Sequence, residues 1–307
     1  MTMRILVLGA GATGGFYGGH LMQAGENVTF LVRPKRHGQL TENGLVVISP
    51  VGNIITPVQA VTRFNRPADL ILLSCKAYDL DAAIETIRPA VGPQTRILPL
   101  LNGLCHLDRL DAAFGVERVM GGLCHLTITM DGDGTIRHLY PFNRLTFGAR
   151  HPDQAPVAEA LAAAYAKTPA TVGNSADILQ DMWGKFYFLA TLAGATTLMR
   201  APIGTIVGTP DGRAFITGLL DECTSIATAA GHPPSAERDA ESRHLLTMED
   251  SALSASMMRD IEKGGATEGE HIVGDLLRRG RELGLTLPLL TVCATHLRAY
   301  EARRKPS

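Results

Sequence analysis

A glycine-rich turn, Gly9-Ala10-Gly11-Ala12-Thr13-Gly14, follows the apolar run Arg4–Leu8 and precedes a helical stretch, Phe16–Ala24. Asn27–Val32 is a second apolar, β-branched run. Strand, glycine turn, helix and strand within about 30 residues make a βαβ unit. Each glycine has a mechanical reason. Gly9 allows the tight exit from the strand, Gly11 has no Cβ to keep a pyrophosphate from the backbone, and Gly14 lets the helix pack close to the strand. The phosphates then meet open N–H groups at the helix N-terminus. The spacing therefore points to dinucleotide binding on Gly9, Gly11, Ala12, Thr13 and Gly14. The plainer alternative is a turn whose glycines serve packing alone.

The same region could be mistaken for a leader or a membrane span, because Ile5–Gly25 carries no Asp, Glu, Lys or Arg. Seven of its residues are glycines (Gly9, Gly11, Gly14, Gly15, Gly18, Gly19, Gly25), and its strongly apolar part is only Ile5–Leu8. A span needs roughly 20 mostly apolar residues, and a signal needs a longer apolar block. The other uncharged run, Phe186–Met199, is too short to span. A membrane is not expected. With 29 Lys+Arg against 30 Asp+Glu, no basic excess drives nucleic-acid binding. The 45% hydrophobic content of the 307 residues excludes a disordered chain and is enough for two domains. The cysteines, Cys75, Cys105, Cys124, Cys223 and Cys293, are odd in number and form no C-x-x-C. They read as small core residues in a reducing, cytoplasmic compartment. No H-x-H or H-E-x-x-H occurs, so no metal is expected.

Further along, Leu45–Ile48 and Ile54–Val58 read as a hairpin, Asp69–Ser74 as a strand buried on both faces, Leu80–Ala90 as a helix and Thr95–Leu101 as a strand. Val119–Met130 and Thr135–Leu139 form a second hairpin, Arg144–Gly148 a further strand, and Val157–Ala166 a helix. The texture then changes to Ala/Leu/Glu/Arg-rich segments. Helices are expected over Ser175–Met199, Gly212–Ala230, Ser235–Leu246, Met257–Glu262, Glu268–Leu283 and Leu289–Arg303, with a frayed tail from Arg303. The expected fold is α/β: an N-terminal Rossmann-type dinucleotide-binding domain (1–174) plus an all-helical C-terminal domain (175–307). A site in the cleft between them is the natural expectation.

An acid closing the second strand would read the ribose 2′-hydroxyl of NAD. This strand ends instead in Val32-Arg33-Pro34-Lys35-Arg36. Cations there suit a 2′-phosphate, hence NADPH/NADP+, with Arg33 the leading candidate; a solvated basic turn is the alternative.

At this point the chain resembles the ketopantoate reductase (2-dehydropantoate 2-reductase) family along nearly its whole length. The carrying pieces, in order, are the glycine turn, Arg33, Lys76 in Ser74-Cys75-Lys76-Ala77, Leu101-Asn102-Gly103, Trp183-Gly184-Lys185, Ser256-Met257-Met258-Arg259-Asp260-Ile261 and Thr267-Glu268. The resemblance implies hydride transfer from NADPH to a small-molecule 2-oxo acid, ketopantoate giving pantoate on the route to pantothenate and coenzyme A. It implies Lys185 as general acid, with Glu268 binding the substrate hydroxyl and orienting Lys185. Ser256 would bind the substrate carboxylate, Asn102 would bridge cofactor and substrate, and Lys76 would line the cofactor groove. Glu268 and Ser256 also fit helix N-terminal positions, and Asn102-Gly103 also fits a plain turn. A homodimer is compatible with the apolar helices.

One departure bears on the substrate. The family's better-known members place Asn four and eight residues after the lysine, where this chain has Leu189 and Ala193. This marks a divergent branch and leaves open a bulkier or more apolar 2-oxo acid, an opine-type dehydrogenase, or a NADP-binding regulator without turnover. His106, four residues after Asn102, is either a polar loop residue or a substrate contact.

Overall fold

The computed structural model describes residues 2–304. The chain divides into two compact units. One comprises the chain through Leu101 together with His106–Leu179; the other comprises Asn102–Cys105 together with the chain from Gln180. The change of unit thus falls near Leu179 rather than at residue 174, and Asn102–Cys105 groups with the helical part.

In chain order the first unit runs β1 (Arg4–Leu8), α1 (Ala12–Gln23), β2 (Asn27–Leu31), α2 (Pro34–Asn43), β3 (Leu45–Ile48), β4 (Ile54–Thr56), β5 (Gln59–Val61), β6 (Leu70–Leu73), α3 (Leu80–Ile87), β7 (Arg96–Pro99), α4 (Cys105–Phe114), β8 (Gly121–Met130), β9 (Ile136–Gly148), α5 (Ala155–Tyr165) and β10 (Thr171–Asn174). The strands form two sheets. The first is parallel, in the order β5-β2-β1-β6-β7. Counting only its own members, this is the 3-2-1-4-5 order of the Rossmann fold, with β1 at the point where strand order reverses. Its strands read as continuous apolar runs because both faces are covered; Leu70–Leu73 is buried at every position. The second sheet is mixed, in the order β10-β9-β3-β4, with β8 antiparallel to β9. The expected strands at Thr135–Leu139 and Arg144–Gly148 are one continuous strand, β9.

The helix α1 lies between these sheets, and this explains the glycines that the turn does not use. A Cβ at Gly18 would meet Phe30 at 2.8 Å and Val7 at 2.9 Å, on the parallel sheet. A Cβ at Gly19 would meet Leu45 at 2.9 Å and Ile54 at 3.0 Å, on the mixed sheet. Every residue from Gly14 to Leu21 is buried. A helix squeezed from both sides is apolar all round and needs small residues where the sheets approach.

Elements not evident from sequence include α2, α4, β5, β10 and the short helix Ile203–Val207. The stretch Arg33-Pro34-Lys35-Arg36 is not a turn but the start of α2, with Arg33 as N-cap and Pro34 at the first helical position. Strand β10 pairs with β9 in parallel, and α4 carries His106 into the core at 0% exposure. His106 is therefore a buried helix residue, not a loop residue.

The second unit is helical: α6 (Ile178–Met199), α7 (Ile203–Val207), α8 (Gly212–Ala229), α9 (Ala236–Leu246), α10 (Ser256–Glu262), a π-helical turn Glu270–Gly274, α11 (Asp275–Glu282) and α12 (Pro288–Arg303). Arg303 closes α12, and of the expected frayed tail, Lys305–Ser307 lie outside the described residues. Ser235 caps α9 by accepting from the Arg238 N–H at 3.2 Å. Glu222 on α8 caps α12 instead, accepting from the Leu289 and Leu290 N–H groups at 3.0 and 2.8 Å. Cys223 and Cys293 sit in the core between these helices, where burial pushes both thiols up to about 12. They are inert core residues at neutral pH. No helix among the described residues is long and apolar enough to cross a membrane.

Candidate active site

The glycine turn keeps its expected geometry. Gly9 adopts φ +91°, a conformation that favours glycine, and its N–H donates to the Leu31 carbonyl at 3.0 Å. Gly14 packs so closely that a Cβ there would overlap the Gly9 carbonyl oxygen and the Ser74 Oγ. Gly11 differs: a Cβ there would meet nothing within 4 Å. It is the N-cap of α1 with no side-chain cap, and no acid occupies the first turn. Ala12 and Thr13 open the helix, half-buried, with backbone N–H groups of the kind that lack intrahelical acceptors. An open space over Gly11 at an uncapped helix N-terminus fits a pyrophosphate.

Sequence reading missed two residues that hold this turn. Ser74, at the end of β6, places its Oγ 2.9 Å from the Leu8 carbonyl and 3.0 Å from the Gly9 carbonyl. Arg36, on α2, donates from Nε to the Ala10 carbonyl and from a terminal nitrogen to the Gly134 carbonyl, both at 2.8 Å. Arg36 is thus committed to the turn and to the β8–β9 loop. That removes it from the three cations expected around a 2′-phosphate. Arg33 remains, 75% exposed in its side chain, with its guanidinium donating to Asp79 at 2.8 Å. Lys35 is exposed on α2. Lys76 is exposed just after β6 and leads into the one-turn 3-10 helix Ala77–Asp79 that supplies Asp79.

In the second unit, Lys185 lies on the second turn of α6, and its Nζ donates to Asn102 Oδ1 at 2.9 Å. Asn102 is in place because the Asn102–Cys105 segment packs with the helices. Gly103 has φ +79°, and a Cβ there would stand 2.9 Å from the His271 carbonyl and 3.5 Å from the Phe186 ring. His271 belongs to the π-helical turn, a local irregularity that often accompanies functional sites. Glu268 precedes that turn by two residues and is only 9% exposed. Its neighbour Thr267 is fixed by Glu301, whose Oε1 accepts from the Thr267 N–H and hydroxyl, each at 2.7 Å. Lys185, Asn102 and the segment carrying Glu268 are thus tied together through Gly103 and His271.

Ser256 is the first residue of α10 and is exposed. The N-cap is Ala255, so the alternative of Ser256 as cap does not hold. On α6, Leu189 is half-buried and Ala193 fully buried. Thr196 and Thr197 spend their hydroxyls on the carbonyls of Leu192 and Ala193, at 2.7 and 2.6 Å. The helix thus offers little polar side chain beyond Lys185. Among the described residues, no group of three or more His, Cys, Asp or Glu could hold a metal ion.

Comparison with known proteins covers both units. The family described as ketopantoate reductase PanE/ApbA matches residues 5–152, and its C-terminal counterpart matches residues 177–301. An uncharacterized oxidoreductase, YkpB, of Bacillus subtilis strain 168 is 36% identical over 98% of this chain and 100% of its own length. The crystal structure of 2-dehydropantoate 2-reductase from Geobacter metallireducens GS-15 superposes with a TM-score of 0.87 at 29% identity, covering 97% of this chain and 99% of that one. The ternary structure of D-mandelate dehydrogenase with NADH and anilino(oxo)acetate has the same fold, with TM-score 0.87 at 22% identity over 98% of both chains. These matches along both units have one reading: the chain belongs to the ketopantoate reductase family, oxidoreductases acting on a CH–OH group that reduce 2-oxo acids with a nicotinamide dinucleotide.

Proposed function

We propose that the chain reduces ketopantoate to pantoate with NADPH, a step towards pantothenate and coenzyme A. The 2.9 Å hydrogen bond from Lys185 Nζ to Asn102 Oδ1 carries this reading. NADPH would be held over Gly9, Gly11, Ala12, Thr13 and Gly14, with Arg33 on its 2′-phosphate and Lys76 along its groove, and it would supply the hydride. As negative charge develops on the ketone oxygen, Lys185 donates a hydrogen bond and then a proton from Nζ. Asn102 accepts from the same ammonium and so fixes its direction, and by the family resemblance it would also bridge cofactor and substrate. Glu268 would bind the substrate hydroxyl, and Ser256 the carboxylate. The product alkoxide is neutralised by the lysine proton, leaving a neutral amine that solvent reprotonates.

The expected test outcome is NADPH oxidation with ketopantoate that falls about 10²–10⁴-fold in Lys185→Ala. Unchanged turnover in that variant would remove Lys185 from the chemistry. A second reading rests on Leu189, half-buried one turn beyond Lys185 where an amide would orient a polar substrate. Each lost hydrogen bond of that kind is worth about 0.5–1.5 kcal/mol. That reading predicts a higher kcat/KM for 2-oxoisovalerate or benzoylformate than for ketopantoate. NADPH binding without consumption of any 2-oxo acid would favour a regulator instead.

A further inference from the structure

We propose that the second unit carries an anion site, separate from the Lys185 region, that takes a phosphate dianion. A cavity of about 520 Å³ opens where α6 and α12 end. Arg200, Arg303 and Arg304 line it together with His296 and Tyr300, and no acidic residue is in its wall. Arg304 is held by Glu301 at 3.0 Å. Among the described residues, no carboxylate pairs with Arg200 or Arg303. Like charges gathered around a concavity repel one another, and an anion removes that penalty. Guanidinium forks match phosphate oxygens in geometry.

Two local features point the same way. Arg200 sits at φ +53°, directly after α6, in a position usually given to glycine or asparagine, with its guanidinium 6.0 Å from the Tyr300 ring centre. His296 has its Nε2 buried with no hydrogen-bond partner among the described residues. Burial, and secondarily the Arg200 charge, hold the His296 imidazole below its ordinary range. A bound dianion would offset the second effect.

The site is not the substrate site under another name. Arg200 lies roughly 22 Å from Lys185 along α6, at 1.5 Å rise per residue. Its wall is nevertheless bonded to the segment that carries Glu268. Glu301, which holds Arg304, also holds Thr267 at 2.7 Å, and the Tyr300 hydroxyl donates to the Gly265 carbonyl at 2.8 Å. An anion that draws Arg304 away from Glu301 would alter the anchoring of Thr267 and therefore of Glu268.

The test is calorimetric titration of the full chain with inorganic phosphate, at constant ionic strength in chloride. The protein is first saturated with NADPH, so that phosphate positions at the glycine turn are filled. Saturable binding is expected in the wild type, weakened at least tenfold in Arg200→Asn/Arg303→Gln. Asparagine accepts the left-handed conformation, and an unchanged melting temperature without phosphate would certify the fold. Should the double variant fail to fold, Arg303→Gln alone, at an exposed site on α12, serves in its place. Glycerol phosphate as a second titrant separates the sources: tighter binding than inorganic phosphate assigns a phosphomonoester, weaker binding assigns the free ion. Equal phosphate affinity in wild type and variant, or no binding to the wild type, overturns the proposal.

Discussion

Gly103→Ala tests whether Asn102 directs Lys185. Two costs follow from the structure. Gly103 has φ +79°, and a left-handed conformation costs an alanine about 1–2 kcal/mol. The new methyl would stand 2.9 Å from the His271 carbonyl oxygen, closer than real Cβ contacts come. Relieving that overlap moves the Asn102–Gly103 backbone or the π-helical turn by a few tenths of an ångström, and overpacking of this kind costs about 1–3 kcal/mol. The displacement acts directly on the 2.9 Å Lys185–Asn102 bond. A misplacement approaching 1 Å costs about 10²-fold in rate, so a fall of about ten- to a hundredfold in kcat is expected. NADPH affinity should fall less than kcat, because the glycine turn proposed for the pyrophosphate lies far along the chain from Gly103. The assay pairs thermal denaturation with steady-state NADPH oxidation and a separate NADPH titration. Gly103→Asn is the control, since asparagine tolerates the conformation but keeps the Cβ. It should recover stability in part and activity little. Wild-type kcat and melting temperature in Gly103→Ala would refute the reasoning.

Other outcomes follow from the same structure. Gly11→Ala should leave the melting temperature unchanged or slightly higher, since the methyl meets nothing within 4 Å, yet weaken NADPH at least about tenfold, or 1.4 kcal/mol. Equal affinity would move the pyrophosphate elsewhere. Arg33→Ala should weaken NADPH far more than NADH in parallel fluorescence titrations, and equal effects on both would end the 2′-phosphate assignment. Stability should fall as pH drops below about 6.5. Burial lowers the pKa of His20, so the unfolded chain takes up a proton there that the native state resists. Melting temperatures from pH 7.5 to 5 should decline less steeply in His20→Phe, with His296 still contributing in the same direction. A parallel decline in both proteins would exclude His20 as a source.

Much of the chain was legible without coordinates because its signals are local. The strand before Gly9, the turn and the strand after it follow from period and from backbone freedom that glycine alone provides. Helix α2 was hidden because its sequence, Pro-Lys-Arg-His-Gly, has little apolar periodicity; a proline at the first helical position was the available signal. Helix α4 was hidden by the Asn-Gly turn ahead of it, and β10 by its brevity.

The residue types of the site were visible in sequence, but their partnerships were not. The order of motifs was enough to bring forward Lys185, Asn102 and Glu268 and to name the cofactor class. Nothing local says that Asn102, 83 residues before Lys185, leaves the sheet unit to meet it. Nothing local says that Arg36 is taken by Gly134, 98 residues away, while Arg33 reaches Asp79 instead. Nothing local says that Gly18 packs on Val7 and Phe30 of the parallel sheet, or that Gly15 and Gly19 pack on Leu45 and its neighbours in the mixed one. Backbone conformation answers to neighbours in sequence, whereas a side chain's hydrogen-bond partner depends on which distant segment folding delivers to it.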